Sequence, residues 1–432
     1  PKHRSNCICS FQPRNVIRMP PFALQCNAHG LERPATGTEY SCGGRPSHPR
    51  SQRLQAPCRS AVRCQAGNDV STGSEAAVHR RSAMLGGLAV GAALSMPMPG
   101  PASAGPVLSK DWAIVDLPID PGVVLLDVDF TSSDPNHGFL LGTRQTLLET
   151  KDGGRNWEPR SVAAAQEEGF NYRFNSISFQ GDEGWIVGKP AILLHSTDGG
   201  TNWERVPLSA KLPGTPVLIT ALEGKGAAEL TTDQGAIYVT DNGGQNWTAA
   251  VKETVDATLN RVISSGISGA SYYEGSFSNI SRSNRGSYVA VSSRGNFFMT
   301  WRPGQAYWTP HNRPATRRLQ NMGFTPSERL WLTTKGGDLY YTDLDTQSKF
   351  EQAKLGSRGF GILDVNFANQ KVGFACGGSG SLFKTEDGGD SWKRERSTDD
   401  VAANLYQIKF THGNNGFILG NNGVLLRYIG VA

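Results

Sequence analysis

The octapeptide TKDGGRNW, Thr150 to Trp157, decides how this chain reads, because it comes back three more times. STDGGTNW runs from Ser196 to Trp203, TDNGGQNW from Thr240 to Trp247 and TEDGGDSW from Thr385 to Trp392. The first three copies begin at 150, 196 and 240, and two degenerate copies fill the gap before the fourth. These are TWRPGQAYW, Thr300 to Trp308, and YTDLDTQSKF, Tyr341 to Phe350. Repetition at this period points to a propeller or a solenoid.

Working outward, each copy follows a stretch that holds two strands and a tight turn: GFLLGTRQTLLET (Gly138 to Thr150), GWIVGKPAILLHS (Gly184 to Ser196), AELTTDQGAIYVT (Ala228 to Thr240), YVAVSSRGNFFMT (Tyr288 to Thr300), LWLTTKGGDLYYT (Leu330 to Thr342) and GFACGGSGSLFKT (Gly373 to Thr385). The turns carry Gly, or Lys-Pro in the second stretch. One strand earlier stand LLDVDF, FNSISF, PVLITAL, RRLQNMGF, ILDVNF and YQIKF, the expected innermost strands. A further strand after each aromatic makes four per unit. A seventh unit, Ile408 to Tyr428, lacks a glycine motif and an outer strand of its own. DWAIVDLP, Asp111 to Pro118, matches the strand that begins at Trp203 and is expected to complete that unit, removing the open edge of an unfinished ring. The prediction is all-β: a seven-bladed β-propeller of four-stranded blades spanning 105–432.

Inside the motif, Asp caps turn N–H groups, the paired Gly residues accept positive φ, and Trp packs between sheets. Asp152, Asp198, Asn242 and Asp387 therefore read as turn formers, and Trp157, Trp203, Trp247 and Trp392 as packing residues, not as a catalytic set. Trp301, Trp308 and Tyr307 also read as blade packing.

The 432 residues carry 43 Lys+Arg against 38 Asp+Glu, but the excess is local. Residues 1–104 hold 12 basic and 4 acidic side chains, leaving 31 and 34 in the rest. Residues 1–78 are polar, basic and aperiodic, as in an import peptide. Arg80 and Arg81 then precede the apolar run Ser82 to Met96 and the small-residue site Ala102 to Ala104. Basic, apolar, then small is the order of an export signal, with the twin arginines indicating the twin-arginine route over 79–104. The run is too short for a membrane span. A transit peptide ahead of an export signal implies two membranes crossed in turn, as for a thylakoid lumen protein, with the mature chain beginning near Gly105.

Six of the seven cysteines lie in this leader, so Cys376 has no partner for a disulfide or a thiolate metal cage. His137, His195, His311 and His412 are scattered, and no metal or cofactor site is read.

Function is expected on the face that carries the second-to-third turns and the connections between blades. Arg144, Arg294 and Lys335 fall in such turns, and Arg173, Arg313, Arg317, Arg318 and Arg358 in or beside connections. Residues 275–327 hold seven arginines and no Asp or Glu, the others being Arg282, Arg285 and the motif-side Arg302. Such a patch steers an acidic partner, and guanidinium forks suit carboxylates. Nucleic acid is disfavoured by the negative balance after residue 104. A glycan-cleaving enzyme is the serious alternative, because sialidases share Asp-Gly-Trp motifs of this kind. Such chemistry needs paired carboxylates, and Glu167, Glu168, Glu223 and Glu328 show no pairing. The long stretch from Lys252 to Arg285, with Tyr272 and Tyr273, reads equally as a partner-contacting loop or a neutral insertion.

These residues resemble one family, the photosystem II stability and assembly factors of chloroplasts and cyanobacteria. The resemblance runs from DWAIVDLP through GTRQTLLETKDGGRNW and YRFNSISFQGDEGWIVGKPAILLHSTDGG to GNNGVLLRY, and is most specific over RGNFFMTWRPGQ to RRLQNMGF. It implies a lumenal propeller without enzymatic activity, peripheral to the thylakoid membrane. Its implied partners are the precursor of the reaction-centre subunit that later carries the manganese cluster, its partner subunit, and cytochrome b559. It also implies an arginine-rich binding surface, matched here by Arg144, Arg173, Arg294, Arg313, Arg317 and Arg318.

Overall fold

The computed structural model describes residues 106–430 except 167–168, 252–274, 344–348, 356–360 and 412–414. Among them are seven antiparallel sheets of four strands each, and a single 3₁₀ turn at Ala163–Ala165. The first blade runs outward through Leu125–Phe130, Gly138–Gly142, Leu147–Thr150 and Glu158–Pro159, in sequence order. The next five repeat this plan from innermost strands Arg173–Gln180, Pro216–Ala221, Phe277–Arg282, Leu319–Phe324 and Ile362–Phe367. The seventh takes Leu405–Phe410, Gly416–Gly420 and Leu425–Tyr428 from the C-terminal end, and its outermost strand is Trp112–Val115. That strand pairs antiparallel with Leu425–Tyr428, Trp112 opposite Tyr428 and Val115 opposite Leu425.

One innermost strand was not foreseen. Phe277–Arg282 lies inside the stretch from Lys252 to Arg285 that reads as a connection in sequence. Its FSNISR is rich in Ser and Asn because an innermost strand turns one face to the channel, so the alternation of apolar residues is weak. The rest of that stretch, 252–274 with Tyr272 and Tyr273, lies outside the described residues.

Every innermost strand carries a bulge at the same register, between Leu125 and Asp127 in the first and between Leu405 and Gln407 in the last. The other five break at the equivalent step. A repeated bulge adds twist at the same depth in each sheet, which suits strands converging on one axis.

Polar side chains beyond the bulge tie most innermost strands to the next. Asp127 and Asp129 accept N–H groups of Ile177 and Phe179 at 2.9 and 2.8 Å. Asp364 accepts Ile408 N–H at 2.8 Å, Asn321 donates to Leu363 O at 3.1 Å, and Ser281 donates to Met322 O at 2.7 Å. The Tyr406 hydroxyl donates to Leu125 O, linking the seventh blade to the first.

The core lies between the sheets and is built on a recurring aromatic triad. Phe130 stacks on Phe417 of the preceding blade at 5.5 Å, with Trp157 edge-on to both. Phe179 stacks on Phe139 at 5.5 Å, again with Trp203 edge-on. In the seventh blade Phe410 stacks on Phe374, and the tryptophan edge-on to Phe374 is Trp112, at 5.0 Å. The N-terminal strand thus supplies the seventh blade with the tryptophan that its missing motif does not. Close packing also explains the glycine that opens several second strands. A Cβ on Gly138 would stand 2.6 Å from the Phe130 ring opposite it.

Candidate partner-binding face

The glycine motifs lie on one face and fold as the same hydrogen-bonded turn. Thr150 Oγ1 donates to Asp152 Oδ1 at 2.9 Å and accepts Gly154 N–H at 3.0 Å. Asp152 Oδ1 then accepts the N–H groups of Arg155 and Asn156, and Trp157 Nε1 donates to Gly154 O at 3.2 Å. Both glycines have positive φ, 72° and 78°. Ser196 with Asp198, Thr240 with Asn242 and Thr385 with Asp387 repeat the arrangement. Burial acts to raise the Asp152 and Asp198 carboxyls, but the turn donors outweigh it and both end below the usual carboxylate range. Asp387 is held at about 2, chiefly by the Ser391 hydroxyl and N–H. These carboxylates are occupied by their own turns and are poorly suited to proton transfer. Trp247 and Trp392 donate to Gly244 and Gly389 in the manner of Trp157.

The degenerate copy from Thr300 to Trp308 behaves differently, and residues 344–348 of the other lie outside the described residues. Trp301 and Trp308 are buried, and Trp308 Nε1 donates to Gly235 O of the neighbouring blade at 2.8 Å. Tyr307 is not packing; it stands 46% exposed.

On the opposite face, the second-to-third turns are bonded to the connections between blades. Gln145 N–H donates to Tyr172 O, Leu319 N–H to Gly295 O, and Lys335 N–H to Arg318 O. The arginines expected on this face are carried by these segments. Arg144 is in the first blade's turn, Arg173 opens the second blade, and Arg294 is in the fourth blade's turn. Arg313, Arg317 and Arg318 span the step between Thr309–Asn312 and Leu319–Phe324, with Lys335 in the adjoining turn. All are exposed except half-buried Arg313. They form two groups, one at the first and second blades, the other at the fourth and fifth. Arg317 reaches Asp338 Oδ2 at 3.6 Å. Arg358 lies outside the described residues.

The acid-free run is divided by the fold. Arg282, Arg285 and Arg302 fall on the motif side, and Arg282 is engaged there by Glu229 Oε1 at 2.6 Å. A run in sequence passes from face to face with every strand, so continuity of charge along the chain does not produce continuity on the surface. Glu223 and Glu328 also leave the arginine face, being in the first-to-second hairpins of their blades on the motif side. Glu167 and Glu168 lie outside the described residues.

The histidines among the described residues are each engaged locally, and His412 lies outside them. His137 Nε2 meets Glu149 Oε1 at 2.8 Å, His195 Nε2 meets Glu183 Oε2 at 2.5 Å, and His311 pairs with Thr300. No cluster of three His, Cys, Asp or Glu able to hold a metal occurs among the described residues. Nor is any helix among them long and apolar enough to cross a membrane.

Between the two faces runs a central channel of about 1180 Å³, lined by the innermost strands. Sequence reading missed its charged group. Lys409 of the last blade meets Asp127 Oδ1 of the first at 2.6 Å and lies near Asp129. Burial raises the Asp129 carboxyl, opposed chiefly by Lys409. The only sequence signal was polar residues at alternate positions of strands expected to be apolar.

The family described as "Photosynthesis system II assembly factor YCF48" matches residues 105–429. The chloroplastic photosystem II stability/assembly factor HCF136 of Arabidopsis thaliana is 58% identical over 352 residues, covering 81% of this chain and 87% of that protein. A solved structure of YCF48 from Cyanidioschyzon merolae is 50% identical with a TM-score of 0.67, covering 74% of this chain and 98% of the other. A second, YCF48 bound to D1 peptide, is 42% identical with a TM-score of 0.65, covering 76% of this chain and all of the other. Matched over nearly the whole described length and at these identities, the chain belongs to the photosystem II assembly factor YCF48 family.

Proposed function

We propose that this protein is a non-enzymatic assembly factor of photosystem II that binds the newly made D1 reaction-centre precursor through its arginine-bearing face. The observation that carries this is the relative solved with a D1 peptide, similar over the whole of its length. The arginine face supports it in chemistry, since Arg144, Arg173, Arg313 and Arg318 have no carboxylate partner among the described residues. Guanidinium forks left without internal partners are available to carboxylates of another chain. The segments outside 105–432 act as addresses in this reading, a transit peptide over 1–78 and a twin-arginine signal over 79–104. The working site is then the thylakoid lumen, with the propeller held at the membrane through its partners, early reaction-centre intermediates with cytochrome b559 among them. The glycan-cleaving alternative has no observation in its favour: the motif aspartates are occupied by their turns, and Glu223 and Glu328 lie away from the arginine face.

The test is co-purification of the tagged protein with detergent-solubilised thylakoid membranes at low and high salt, with bound proteins identified by mass. Recovery of D1 precursor and early intermediates, weakened by salt, is expected. Absence of D1 from the bound fraction at both salt concentrations would overturn the reading.

A further inference from the structure

The first blade's second-to-third turn departs from the other turns on its face. At this hairpin, Arg144 and Gln145 have φ of 58° and 56°, both left-handed. The sixth and seventh blades use the same backbone, but their second position is glycine: Ser379–Gly380 at 53° and 68°, Asn422–Gly423 at 58° and 71°. A residue with a side chain in this region costs on the order of 1 kcal/mol, which glycine avoids. Glycine at 145 would keep the main-chain bond to Tyr172 O, so that bond does not explain the glutamine.

The side chain does. Gln145 Nε2 donates to the Phe170 carbonyl, with the Ala165 carbonyl at 3.4 Å. The glutamine thereby straps the connection that runs from the first blade to the second. What the strap holds is not buried: Phe170 remains 49% exposed, its ring resting only edge-on against buried Tyr172 at 5.8 Å. Few large apolar side chains are exposed among the described residues, the others being Val107, Tyr307 and Ile429.

The two segments joined by the strap also carry charge. Arg144 precedes the strapping glutamine, and Arg173 follows the Tyr172 carbonyl to which Gln145 is bonded. Room is kept for the first of these guanidiniums by Gly122, where a Cβ would stand 3.1 Å from Arg144 Nη2. Arg173 lines the mouth of the channel.

We propose that Phe170, on the connection strapped by Gln145 and on the same face as Arg144 and Arg173, is the apolar anchor of the partner site. The occupant it fits is an extended polypeptide segment with a carboxylate within a few residues of a large apolar side chain. A half-exposed ring on a face that also carries forked cations suits an interface hot spot, in which the aromatic supplies affinity and the cations supply orientation. A lipid surface is disfavoured, because a single ring offers no apolar patch to enter a bilayer. The proposal rests on the assembly-factor reading and names the residue and the partner chemistry at that face.

The test uses the full chain and overlapping synthetic peptides covering the lumen-facing segments of D1, with affinity read by fluorescence anisotropy at several salt concentrations. At least one peptide is expected to bind the wild type. For it, Phe170→Ala should weaken binding about tenfold without changing the salt slope, while Phe170→Leu retains most of the affinity. The double variant Arg144→Gln with Arg173→Gln should weaken binding and flatten the slope. Gln145→Gly separates presentation from folding: it should leave the melting temperature unchanged or higher while weakening the same peptide. If peptides bind the wild type and Phe170→Ala stays within twofold of it, the anchor is refuted and the assembly-factor reading stands. If no D1 peptide binds the wild type, the D1 reading fails and the anchor falls with it.

Discussion

Asp364 shows how far a single residue's chemistry depends on its neighbours. It occupies the same register as Asp127, in ILDVNF against LLDVDF, and both bond to the next innermost strand. Asp127 has Lys409 against it at 2.6 Å, whereas Asp364 is met only by neutral donors, Ile408 N–H and the Asn321 amide at 3.0 Å. Burial pushes its carboxyl up to about 7, against those hydrogen bonds. A carboxyl raised on folding binds its proton more tightly in the native state, so the stability linked to it is full below pH 3.8 and is lost as pH rises through about 7. Between pH 5 and 7 this one group should lower stability by up to about 1.4 kcal/mol per pH unit. Urea midpoints measured across that range should fall with pH in the wild type and follow a flatter course in Asp364→Asn. A parallel course would show that the carboxyl is already ionised at pH 5. Sequence shows the two aspartates as equivalents; which one receives the lysine depends on a residue more than 280 positions from Asp127.

At the scale of the element, the instructive strand is Trp112–Val115. Its register with Leu425–Tyr428 joins the two ends of the propeller, and Trp112 is fully buried against Phe374 and Tyr428. It takes the place that Trp157 and Trp203 hold in blades that have their own motif. Trp112→Ala should therefore cost about 3 to 5 kcal/mol, the range for emptying a large aromatic site. Trp112→Phe should recover a large part of the loss, with both read from chemical denaturation. A cost under 1 kcal/mol would mean that this strand contributes little to the last blade. The need for such a strand was legible in sequence, because the seventh unit stops without its motif and DWAIVDLP has the form of the missing piece. The fourth blade's innermost strand was not, since FSNISR faces the channel with serine and asparagine and hides the period of two.

At the scale of the whole molecule, the fold sorts charge by face. Arg313, Arg317 and Arg318 stand with Lys335 at the fourth and fifth blades, apart from Arg144 and Arg173 at the first two. Replacing Arg313, Arg317 and Arg318 together by Glu should leave the melting transition in place and weaken D1 binding, with a reduced dependence on salt. Unchanged affinity would confine the site to the first and second blades. Substituting Arg282 instead should act on stability, because its guanidinium completes a buried group with Glu229 and Tyr288.

The amino-acid sequence by itself determined the number of blades, the turn chemistry of the four full motifs and the two-ended seventh blade. The first two are written in local spacing, which hydrogen bonds and strand pairing over short stretches translate directly into structure, and the third in a last unit that stops without its motif. Tertiary structure alone decided which arginines share a face, that Gln145 bonds the carbonyl of half-exposed Phe170, and that Lys409 pairs with Asp127 while Asp364 meets neutral donors. Those outcomes depend on segments tens to hundreds of residues apart being brought within 3 or 4 Å, and no local period carries that information.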